Sequence, residues 1–165
     1  MTAQASESLL YKGEELAMCS TPLDIFLANS GRDLRFQERS TACWRGYIAD
    51  WEVRGDRLYI TDICATLENG RDLTLEDLFP GYPEGAFAHW FSGEVRCPMG
   101  GQLQYIHMGF ASQFEQDLFL KFKKGVLVSE RIVENGKAAP RAVHRYQPAA
   151  WTTYPAKTLD DRDDQ

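Results

Sequence analysis

The run TACWRGYIADWEV, residues 41–53, puts a thiol, a fixed cation and two indoles into one largely apolar stretch. Cys43 could serve as a nucleophile. That chemistry needs a thiolate, a nearby base and a group that orients the base. The bases on offer are His89, His107 and His144. No local signature of a cysteine hydrolase surrounds Cys43, so it reads as a small buried hydrophobe. Arg45 asks more. Arginine is rarely buried without a partner, and its planar fork grips a carboxylate or phosphate bidentately. It is either a ligand-holding group in a pocket or half of a structural ion pair.

Other chemistries find little footing. No His-x-x-x-His pair or facial triad links His89, His107, Glu94, Glu115 and Asp117, so no metal is expected. Glu94 and Glu115 could act as paired carboxylates, but such pairs arise readily among 24 acidic residues. Phosphate-cradling glycine loops and the G-x-S-x-G elbow are missing, and no cofactor is expected. Trp90-Phe91, beside a loop, and Trp151 with Tyr154 are the aromatic candidates for a recognition surface.

These residues must be positioned by short elements. Residues 1–8 read as a loose arm. LLYKGEELAM suggests a hairpin turning at Lys12-Gly13. Thr21, Pro22 and Asp24 announce a helix over 22–30, which Gly31 ends. YIADWEV and LYITDICATL flank Arg54-Gly55-Asp56-Arg57 as a two-residue hairpin. That turn pairs Val53 with Leu58, Trp51 with Ile60, Ala49 with Asp62 and Tyr47 with Cys64. On this register Arg45, Tyr47, Trp51 and Asp62 share the inward face. Asp62 and Glu94 are then the expected partners of Arg45, or its stem lies on Trp44. A slip of one residue would reverse the face. Thr74 caps a single turn, LEDLF. GEVRCP, QLQYIHMGF, LFLKF and VLVSERIVE read as further strands, with a turn at Lys123-Lys124-Gly125.

Seven or eight strands on short turns imply an α+β fold, mainly antiparallel, with one or two short helices and a strongly curved or partly closed sheet. The reading gives a single β-rich domain over 9–135, an extended strap over 136–157 and an acidic tail over 158–165.

The chain of 165 residues carries 44% hydrophobic residues, enough for one core. Its net charge is −6, half of it from Asp160-Asp161-Arg162-Asp163-Asp164. The basic residues are scattered, which speaks against nucleic acid. No apolar run is long enough to span a bilayer, and the start lacks the pattern of a signal peptide. A cytoplasmic protein is expected, with Cys19, Cys43, Cys64 and Cys97 as reduced thiols.

Cys43-Trp44-Arg45-Gly46-Tyr47-x-Ala49-x-Trp51-Glu52, then Trp90-Phe91-Ser92-Gly93-Glu94, then His107-Met108-Gly109 resembles a group of small uncharacterised bacterial proteins. The resemblance runs from about Leu10 to Glu134. It implies a bacterial stand-alone domain and carries no activity to transfer. Two function classes are therefore expected. The first is a non-catalytic binding protein, concretely an immunity protein that covers a toxin, with Trp90, Phe91, Trp151 and Tyr154 in contact with the partner. The second is a small-molecule-binding domain or small enzyme with a pocket at Trp44, Arg45, Trp90 and His107. The first is favoured because catalytic motifs are lacking.

Overall fold

In a computed structural model, the described residues are 3–38, 40–106 and 109–137. His107, Trp151 and Tyr154 lie outside them, as do the strap from residue 138 onward and the acidic tail.

Nine strands and two short helices follow one another among the described residues. They are β1 (Glu7–Tyr11), β2 (Glu14–Met18), α1 (Leu23–Asn29), β3 (Tyr47–Arg54), β4 (Arg57–Thr66), β5 (Asp72–Leu73), α2 (Leu75–Leu78), β6 (Ala86–Phe87), β7 (Gly93–Gln104), β8 (Gln113–Lys123) and β9 (Val126–Glu134). The sheet runs β2-β1-β3-β4-β9-β8-β7, with β5 and β6 also on β4. Turn chemistry explains the hairpins. Lys12-Gly13, Gly55-Asp56 and Lys124-Gly125 all hold positive φ, which matches the twist that two-residue hairpins require. Gly125 has a further reason. A Cβ there would stand 2.5 Å from the Ala88 carbonyl oxygen.

The sheet is mixed rather than purely antiparallel, because β1 lies parallel to β3, with Leu9 beside Trp51. Short turns cannot produce that pair. It is made across the α1 crossover. Two bonds just past β2 reach the far side of the sheet. Cys19 N–H donates to the Arg96 carbonyl at 2.8 Å, and Arg96 N–H to Ser20 Oγ at 3.2 Å.

The expected β3–β4 register holds only near the turn. Val53 meets Leu58 and Trp51 meets Ile60, then a bulge at Asp50/Trp51 shifts the ladder. Ala49 pairs with Ile63 and Tyr47 with Ala65. The extra residue sends Asp62 and Cys64 outward and brings Ile63 and Ala65 into the core. One side of β3 and β4 thereby stays apolar along its length. Tyr47, Trp51, Leu58, Ile60, Val95, Leu120 and Phe122 form the centre of the core.

α1 begins at Leu23, just after Pro22. Thr21 Oγ1 donates to Asp24 Oδ2 at 2.7 Å rather than capping a backbone amide. Thr74 caps α2 reciprocally with Asp77, as its spacing predicts.

Candidate functional site

The stretch 41–46 is a pair of tight turns, and the strand begins at Tyr47. Cys43 N–H reaches the Ser40 carbonyl at 3.1 Å and Gly46 N–H the Cys43 carbonyl at 3.2 Å. Gly46 sits at φ +77°, and a Cβ there would lie 2.5 Å from Phe36 Cβ. Only glycine lets this loop close against residue 36. Cys43 is buried, and its thiol donates to the Tyr47 carbonyl at 3.4 Å. No histidine joins it among the described contacts. Trp44 is 49% exposed.

Arg45 points inward as expected, but its counter-ion is neither Asp62 nor Glu94. Asp62 has been turned out by the bulge, and Glu94 pairs with Arg131 at 2.8 Å. The partner is Glu7, the first residue of β1, in the stretch read as a loose arm. Glu7 Oε1 lies 3.4 Å from Arg45 Nε, with side chains 0% and 11% exposed. The arm before it is also tied down: Gln4 N–H donates to the Gly109 carbonyl at 2.8 Å and Ala5 N–H to the Ala42 carbonyl at 2.6 Å.

A polar centre grows around this pair. Trp51 Nε1 donates to Glu7 Oε2. The Tyr47 hydroxyl donates to Asp24 Oδ1, and the other Asp24 oxygen is the one held by Thr21. The Arg45 guanidinium lies over the rings of Tyr47, at 5.4 Å, and Phe110, at 5.8 Å. Yet Glu7 Oε1, Arg45 Nε and Arg45 Nη2 are buried with no hydrogen-bond partner among the described residues. At 3.4 Å the charges attract as an ion pair. Burial raises the Glu7 carboxyl to about 7, against the opposing pull of Trp51 and Arg45. Burial and the Asp24 bond likewise push the Tyr47 phenol upward.

This arrangement can hold a proton near neutrality and lock four segments together. The Phe110 ring lies over Arg45 on one side. Beyond that ring lies a cleft of about 180 Å³. Gln4, Cys19, Pro98, Tyr105, Phe110 and Phe114 are among its walls. Burial raises the Cys19 thiol.

Of the expected pocket residues, His107 lies outside the described residues, Trp44 and Arg45 share the turn before β3, and Trp90 is engaged with the helices. Trp90 donates its indole N–H to the Pro22 carbonyl at 2.9 Å, stacks on Phe79 at 5.4 Å and packs tilted against Phe26 at 4.9 Å. It fastens α1 to α2. Phe91 is 7% exposed and packs 6.1 Å from Phe122, so it belongs to the core rather than to a surface.

Glu7, Asp24 and a second arginine were invisible at the level of motifs. Arg96 Nε meets Asp117 Oδ1 at 2.8 Å, and its two terminal nitrogens donate to the Phe110 and Ser112 carbonyls at 2.6 and 2.8 Å. The signal for Glu7 was its phase, since Glu7, Leu9 and Tyr11 alternate on one buried side of β1. Among the described residues, no group of three His, Cys, Asp or Glu is placed to hold a metal. No helix among them is long and apolar enough to cross a membrane.

The architecture is a mixed β-sheet with two short helices. No protein-family model, curated protein or solved structure matches the chain.

Proposed function

We propose that this is a non-catalytic binding protein, most concretely a bacterial immunity protein that neutralises a toxin by direct contact. The observation that carries the reading is strand β9, where Val128 and Ile132 are each 54% exposed beside Glu130, Arg131 and Glu134. Apolar side chains ringed by charge suit a protein partner. The net charge of −6 supports a basic one, because opposite charge speeds encounter. The reactive candidates are engaged elsewhere: Arg45 with Glu7, and Cys43 with the Tyr47 carbonyl. The four cysteines are free, which supports a reducing, cytoplasmic setting. The partly closed sheet belongs to the same proposal, supported by the Cys19–Arg96 backbone bond between its two outer regions.

The test starts from native-source complexes that survive a high-salt wash. A stoichiometric partner is then purified and assayed with added full-length protein. Loss of the partner's activity at equimolar ratio is expected. A partner that stays fully active ends the immunity reading.

The 180 Å³ cleft keeps a second reading open, a small-molecule site beside Phe110. Its sign would be a ligand that raises the melting temperature of the wild type and loses that effect when Phe110→Ala opens the wall.

A further inference from the structure

Among the described residues, 128–134 of β9 form an open sheet edge. β8 pairs with β9 from Gln116–Glu134 to Lys123–Val126. On the other side, β4 meets β9 only at Arg57–Val126. Asn135 donates its N–H to the Glu115 carbonyl on β8 at 2.8 Å, in step with that register. Alternation along an antiparallel strand then turns the N–H and C=O groups of Glu134, Ile132 and Glu130 away from β8. Among the described residues, no strand receives them.

Side chains decide what would pair there. Glu130, Ile132 and Glu134 lie opposite Leu120, Leu118 and Gln116, on one face of the sheet. The Glu130 carboxylate is taken by the Tyr11 hydroxyl and by Lys12 Nζ at 3.3 Å. Arg131, on the other face, is taken by Glu94. Ile132 stays exposed, and among the described residues Glu134 has a 3.4 Å bond from Gln116 Nε2 and no cation. An incoming strand is therefore asked for an apolar residue at Ile132 and a cation two positions away, at Glu134. A second copy of β9 does not supply this. The face from Glu130 to Glu134 carries no cation, so an identical strand would bring acid to acid or acid to an apolar side chain.

We infer that the β9 edge accepts an extended segment of a partner protein by strand addition, selecting a Lys or Arg two residues from a Val, Ile or Leu. This deepens the binding reading above and rests on it. Main-chain bonds would give the affinity, and the apolar–basic alternation the choice of partner.

The probe is the acetylated, amidated peptide Thr-Lys-Thr-Val-Thr-Lys-Thr, added to ¹⁵N-labelled full-length protein. A control peptide carries Glu for both Lys. Amide hydrogen exchange at Glu130, Ile132 and Glu134 is expected to slow by about tenfold or more with the basic peptide, and not with the acidic one. Ile132→Pro removes one outward donor and spares the β8 ladder, so protection should vanish while the remaining amides keep their spectrum. Glu134→Lys should exchange the preference between the two peptides. Unchanged exchange at those three amides at millimolar peptide, or equal protection by both peptides, overturns the inference. So does a wild-type dimer in sedimentation that Ile132→Pro dissolves, because a second copy would then own the edge. A purified partner held equally by wild type and Ile132→Pro sinks the edge and leaves the binding reading standing. A protein with no partner that still protects its β9 amides with the basic peptide does the reverse.

Discussion

Two arginines grip the same residue in opposite ways. Arg96 spends all three nitrogens, on Asp117, on the Phe110 carbonyl and on the Ser112 carbonyl. Arg45 lies over the Phe110 ring and, among the described residues, leaves Nε and Nη2 without hydrogen bonds. Each counter-ion keeps a second donor, the Trp51 indole for the fully buried Glu7 and Asn135 Nδ2 at 2.9 Å for Asp117. Arg96 is thus a satisfied brace for the segment that follows β7. Arg45 is held by charge and ring faces in a site that solvates neither partner well. The difference teaches that a buried arginine marks a constraint, and that its unspent donors mark where the constraint is weakest.

The largest test removes the counter-ion. Glu7→Ala leaves the Arg45 charge buried and the Trp51 indole N–H unpaired, and should cost about 4 kcal/mol. Urea unfolding of both proteins reads it directly. A loss below about 1 kcal/mol would show that the centre is wet and that the contrast with Arg96 is empty.

The second test uses pH. The Glu7 carboxyl lies at about 7 in the folded chain, against an ordinary value of 4.5. Its folded value is raised, so the stability it lends is fully present below the unfolded value and is lost as pH climbs through about 7. The full swing is roughly 3 kcal/mol. Glu7→Gln keeps an acceptor for Trp51 and has no proton to lose. Subtracting its stability from that of wild type at each pH should isolate a fall across this window. A difference that stays flat removes Glu7 as the titrating group.

The third test moves to the satisfied arginine. Arg96→Lys keeps the charge but offers one nitrogen where three were used. It should cost about 2 kcal/mol, through the two carbonyls left unbonded. Exchange of amides near Ser112 should rise with it. Equal stability would mean that water replaces the fork at no cost.

How far the sequence reveals this centre depends on the range of each pairing. Local turns were legible: Gly55-Asp56, Lys12-Gly13 and the Thr74 cap each follow from neighbouring residues. Arg45 was legible as a residue in need of a partner. Glu7 was not, because it joins through a parallel β1–β3 pair that no short turn dictates. Asp62 was misplaced for a related reason. A bulge of one residue reverses the face of everything beyond it, and nothing in Ala49-Asp50-Trp51 announces one. Arg96 escaped notice because it alternates with the buried Val95 and Cys97, which reads as an exposed position. The segment that covers that face, around Phe110, comes back from later in the chain.

The smallest effect is the one that joins the two arginines. Phe110→Leu keeps the carbonyl that Arg96 uses and removes the ring that Arg45 faces. The ring interaction should be worth about 1 kcal/mol. A double-mutant cycle with Arg45→Met isolates it from lost packing, because each single change removes one side of the contact. Coupling near that size, paired with additivity between Phe110→Leu and Arg96→Lys, would show that the residue serves two neighbours through separate atoms. Strong coupling to Arg96→Lys would instead show that the ring and the backbone move as one body, so that the brace and the stacked cation are a single device.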